Sequence, residues 1–125
     1  MNWVRLAAIV LASLPLDAFA AAPDPNASQE IEYLISSVEH MQDATFVRNG
    51  VSYDARKAAS HLRMKLKYAG SNVKSAEDFI RMCASRSSIS GKPYELRFAD
   101  GRVMTSESYF TGKLAEYRKS HAKEG

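Results

Sequence analysis

Between residues 55 and 76 the chain carries six cations, Arg56, Lys57, Arg63, Lys65, Lys67 and Lys74, and no acid, with His61 one helical turn before Lys65. Positive side chains gathered in this way attract phosphate- or carboxylate-rich surfaces. A second segment, residues 85–94, holds Ser85, Ser87, Ser88 and Ser90 with Gly91, two cations (Arg86 and Lys92) and the closing Tyr94. Its hydroxyls and backbone N–H groups could form an anion nest, with the cations as counter-charges. It is not a nucleotide P-loop, because the spaced glycines and the Gly-Lys-Ser/Thr ending are missing. A plainer account competes in both places. The first segment could be a solvated helix face, and the second a helix end whose serines satisfy loose backbone groups.

Catalytic readings of the same residues rest on less. Several serines with His61 and Asp54 could in principle form a triad, and Ser71-Asn72-Val73-Lys74 matches Ser-x-x-Lys literally. A pattern with two fixed positions arises often by chance, and the companion motifs of penicillin-recognising enzymes are missing. His40, His61 and His121 lie in different segments, and the single Cys83 has no histidine partner near it, so no metal or cofactor site is expected. Arg48 stands at the tip of an Asn49-Gly50 turn that does not itself require an arginine, and could point toward the basic surface.

The elements that must position these residues follow from periodicity and punctuation. Ser28 could cap a first helix with Ile31, Leu34, Ile35, Val38 and Met41 on one face. Asn49-Gly50 between two short β-prone runs predicts a two-residue hairpin that sets Phe46 opposite Tyr53. Asp54 caps a second helix that Gly70 stops, and Ser75 opens a third. Cys83 falls on the third helix's apolar stripe with Ala76, Phe79 and Ile80, which predicts a buried, inert thiol. A strand with Tyr94, Leu96 and Phe98 inward turns back at Asp100-Gly101, and Thr105 or Ser106 caps a last helix that gives way to a charged tail. The expected fold is α+β in the order α-ββ-α-α-ββ-α, with four helices packed on a small antiparallel sheet of two hairpins. Each hairpin followed by a capped helix also suggests an internal duplication, although the arrangement is common enough to need none.

The start of the chain is of a different kind. One positive charge precedes an eleven-residue apolar run and then Ala18-Phe19-Ala20, the three parts of a secretory signal. A membrane span would need about 20 apolar residues. Residues 1–20 are therefore expected to be a cleaved signal, 21–28 a loose lead-in, 29–120 one domain and 121–125 a charged tail. Cleavage removes Arg5 and Asp17 together, so the net charge stays at +3. The expected location is a bacterial periplasm, with no membrane span after cleavage. Nucleic acid is excluded as a partner by export and by the modest charge.

Four runs of residues also carry a resemblance: Phe46-x-Arg48-Asn49-Gly50, His61-Leu62-Arg63-x-Lys65, Ala76-Glu77-x-Phe79-Ile80, and Ser85-x-Ser87-Ser88-Ile89-Ser90-Gly91-Lys92-Pro93-Tyr94. In this order and spacing, from about Glu30 to Tyr94, the chain resembles the YfeK-like family of small exported proteobacterial proteins. The resemblance implies export and a single domain. The family is a domain of unknown function, so the resemblance implies no activity, substrate or cofactor.

Together these residues predict a non-enzymatic exported domain that binds an anionic envelope component or an acidic protein patch. The site would comprise Arg48, His61, Arg63, Lys65, Ser85, Arg86, Ser87, Ser88, Ser90, Lys92 and Tyr94. A small hydrolase-like enzyme using a serine with His61 is the alternative, and a structural or chaperone-like partner of an envelope complex is a third. An enzyme requires a serine within hydrogen-bond reach of His61. An anion binder requires cations and serines to converge without such a pair, and a partner protein requires an exposed apolar patch beside the basic face.

Overall fold

The computed structural model describes residues 22–122, so the expected signal (residues 1–20) and the last residues of the charged tail lie outside the described residues. The elements run α1 (Ala27–Glu39), β1 (Ala44–Arg48), β2 (Val51–Tyr53), α2 (Ala55–Ala69), α3 (Ala76–Cys83), β3 (Glu95–Phe98), β4 (Val103–Thr105) and α4 (Ser106–His121), with a short 3-10 turn at Gly70–Asn72. The fold is α+β in the predicted order. The two hairpins join through β1 and β3 into one antiparallel sheet, β2-β1-β3-β4, in which Phe46 faces Tyr53 across one seam and Leu96 across the other.

Local chemistry sets most boundaries. Asn49 and Gly50 both take positive φ (51° and 78°), the conformation that a two-residue hairpin turn demands. The Asp54 carboxylate accepts from Lys57 N (2.8 Å), Ser75 Oγ from Asp78 N (3.0 Å) and Thr105 Oγ1 from Ser108 N (3.2 Å), so all three helices begin on a side-chain cap. Gly70 stops α2 at φ +55°.

Three expectations need correction. The first helix is capped at Asn26 rather than Ser28, because the Asp24 carboxylate accepts from Asn26 N and turns the chain two residues earlier. The lead-in is tied down rather than loose, since Asp24 N donates to Lys74 O (2.8 Å). The last helix runs to His121, into the stretch expected to be a charged tail (residues 121–125). Arg118 donates to both oxygens of the buried Glu30 (2.7 and 3.1 Å) and also pairs with Glu77, which holds the final turns against α1 and α3.

The helices bury their apolar faces against the sheet and one another. Leu34, Ile35, Leu62, Phe79, Phe110, Tyr94 and Leu96 are all about fully buried, and Phe79 meets Phe110 edge-on at 6.1 Å. Each large aliphatic or aromatic side chain so buried contributes about 1.5–3 kcal/mol. Cys83 sits in this core at 1% exposure, and burial pushes its thiol above the ordinary range, as the stripe on α3 predicted. No helix among the described residues is long and apolar enough to cross a membrane.

Candidate functional site

Residues 85–94 close the space between the β1–β2 turn and α2. Arg86 pairs with Pro93 as an isolated antiparallel bridge, and Ser87 N donates to Lys92 O (3.0 Å) while Gly91 N donates back to Ser87 O (2.9 Å). The buried Ser87 Oγ is the hub. It accepts from Ile89 N (3.2 Å), from Ser90 N (3.3 Å) and, across the fold, from Asn49 Nδ2 (3.2 Å). Asn49 Oδ1 in turn accepts from Ser90 Oγ (2.5 Å). The hairpin tip therefore clasps the serine loop by one asparagine side chain. Sequence reasoning missed Asn49, since the turn fully accounts for its presence and its partners lie about 40 positions away.

That clasp sets the loop over one flank of α2 and leaves a pocket of about 170 Å³ lined by Arg48, His61, Lys65, Ser87, Ser88, Ile89 and Tyr94. Arg48 comes from the end of β1 and its Nη1 reaches His61 Nε2 at 2.5 Å, so a neutral imidazole receives the guanidinium N–H. Lys65 Nζ donates to Tyr94 Oη (3.0 Å) and to Arg86 O (3.3 Å), and it lies 5.1 Å from the centre of the Tyr94 ring. Among the described residues no carboxylate lines this pocket. Partial burial, then the charges of Arg48 and Lys65, hold the His61 pKa below its ordinary value of 6.5.

Ser87 Oγ accepts from three N–H groups and Tyr94 Oη accepts from the Lys65 ammonium, so both hydroxyls are held by partners within the fold. The pocket thus gathers a guanidinium, an ammonium and a titratable imidazole. That donor set suits an acceptor-rich anion such as phosphate or a carboxylate. Among the described residues no cluster of three or more His, Cys, Asp or Glu could hold a metal ion.

Of the residues singled out from sequence, Arg48, His61, Lys65, Ser87, Ser88 and Tyr94 are brought together. Ser90 supports the clasp from outside it. Ser85 is buried and donates to Ile80 O (2.6 Å), closing the end of α3, so it is a structural hydroxyl and not part of the site. The Arg86 and Lys92 side chains are exposed around the loop and contribute to the pocket only through backbone. Arg63 must be reassigned. It points to the other flank of α2, where it donates to Glu32 (2.7 Å) and Glu39 (2.9 Å) of α1. No serine hydroxyl among the described residues bonds to His61, whose ring is met by Arg48.

The fold and this pocket define a small α+β domain with a cation-lined recess between a hairpin tip and a helix. Residues 25–118 match a family of unknown function (DUF5329), and the chain belongs to that family. It is 42% identical over 89 residues to the uncharacterized protein YfeK of Salmonella typhimurium, covering 70% of this chain and 72% of that protein. This agrees with the resemblance carried by the four sequence runs. No solved structure matches it.

Proposed function

We propose that the chain is an exported, periplasmic domain that binds an anionic ligand in the Arg48–His61–Lys65 pocket. The observation that carries this reading is the convergence of three cation-capable side chains on a pocket whose lining, among the described residues, includes no carboxylate. Like charges held together in a folded chain repel, and a bound anion relieves that repulsion. The contact between His61 and Arg48, in place of a serine, supports binding over hydrolysis.

The test is thermal unfolding of the mature chain with phosphate, sulfate and acidic sugars at low and physiological salt. A ligand at about 100 times its dissociation constant adds about 2.7 kcal/mol, equivalent to several degrees or more in a domain of this size. Lys65→Ala is expected to abolish that shift, while Arg63→Ala leaves it intact. An anion response that survives Lys65→Ala, or no response to any of these anions, would refute the pocket as the site.

A further inference from the structure

The anion pocket is bordered by apolar side chains that the core does not use. Ile89 lines it and is 89% exposed at the tip of the serine loop. Val51 is paired directly with Arg48, so both side chains stand on the same face of the hairpin, and Val51 too is exposed. On α2 the flank that carries His61 and Lys65 continues through Lys57, Met64 and Tyr68, at helical spacings that keep them on one side. Met64 is exposed and Tyr68 is 85% exposed. Large apolar side chains grouped in this way around a charged recess mark an interaction surface.

The charge of the same face says what it meets. Arg48, Lys57, Lys65, Arg86 and Lys92 lie in or around it, and His61 becomes a further cation when protonated. Of the nearby acids, Glu95 pairs across the sheet with Val47, one residue out of phase with Arg48, and so belongs to the opposite sheet face, while the exposed Asp54 at the start of α2 caps Lys57 N. Cations interleaved with protruding aliphatic residues and a tyrosine complement the interface of an anionic bilayer. There phosphate oxygens meet the cations, Tyr sits at headgroup depth and short apolar tips enter the acyl boundary.

We infer that this face docks on an anionic lipid surface, with a headgroup phosphate in the pocket and Ile89, Val51 and Tyr68 seated in the membrane around it. The inference rests on the anion-binding reading above and names the source of the anion.

The experiment separates the two. The mature chain, which contains every described element, is sedimented with vesicles of phosphatidylcholine containing about 30% phosphatidylglycerol and with phosphatidylcholine alone, at about 150 mM salt. Inorganic phosphate is tested in parallel by thermal shift. Binding is expected to the anionic vesicles only. Tyr68→Ser and Val51→Ser should each reduce it roughly fivefold or more while leaving the phosphate shift unchanged, and Ile89→Ser should reduce it further. Lys65→Ala should abolish both responses.

A phosphate shift without vesicle binding overturns the membrane surface and leaves the anion site standing. Vesicle binding that is indifferent to Tyr68, Val51 and Ile89 also overturns it, since charge alone would then suffice. Vesicle binding without any phosphate shift, insensitive to Lys65→Ala, overturns the occupied pocket.

Discussion

Arg63 and Lys65 stand two residues apart on α2, about 200° around its axis, and they meet opposite environments. Arg63 faces α1 and is held by two carboxylates, Glu32 and Glu39, while Arg118 of α4 is likewise held by two, Glu30 and Glu77. Lys65 faces the serine loop, where its neighbours are a tyrosine hydroxyl, a carbonyl, a histidine and another cation's pocket. One helix therefore carries one cation, Arg63, neutralised within the fold and another, Lys65, offered to the pocket. Counting cations along the sequence cannot separate the two. The position of the acids on a distant helix does.

The contrast can be broken most forcefully at Arg118. Glu30 is 4% exposed, and removing its partner leaves a nearly buried carboxylate uncompensated. Arg118→Ala should cost about 2–3 kcal/mol in chemical denaturation, less than for a fully buried pair because the arginine itself is partly solvated. The phosphate response should be unchanged.

Next is Asn49→Gly, which keeps the positive-φ turn but deletes the clasp on Ser87 and Ser90. It should cost about 1 kcal/mol and weaken phosphate binding, since the loop is no longer held over α2. A variant that binds normally would show that the loop holds its place unaided. Arg63→Ala should cost only about 0.5–1 kcal/mol, because both of its ion pairs are substantially exposed.

The finest distinction is one of shape. His61 has a folded-state pKa below 6.5, so above that pH both folded and unfolded chains carry it neutral. As the pH falls through 6.5 the unfolded chain takes up its proton first, and stability is lost until the folded-state value is passed. Urea titrations across this range should show the loss in the parent chain and a flatter profile in His61→Gln. Saturating phosphate should oppose the loss, since an anion favours the protonated ring.

Much of the fold was legible because its signals are local. Asp54, Ser75 and Thr105 each lie within three residues of the amide they cap, and Asn49-Gly50 specifies its own turn. The Phe46–Tyr53 register follows from that turn alone. What escaped were pairings made across the chain. Arg63 was misplaced because its acids lie 24 and 31 positions away, and Asn49 was passed over because Ser87 and Ser90 are 38 and 41 positions off. The ion pair that fastens the end of α4 was missed for the same reason, since Glu30 lies 88 positions upstream of Arg118. His61, Lys65 and Tyr94 could be placed on or beside their elements from helical spacing and the β-pattern before any contact was known.

The order β2-β1-β3-β4 puts a strand of only three residues at each outer edge of the sheet. A neighbouring copy has little free backbone there on which to extend the ladder. Edges this brief, each ending where a capped helix begins, guard the chain against self-templated growth into fibrils without spending charge on the task. The cations of α2 and the serine loop are thereby left for other purposes.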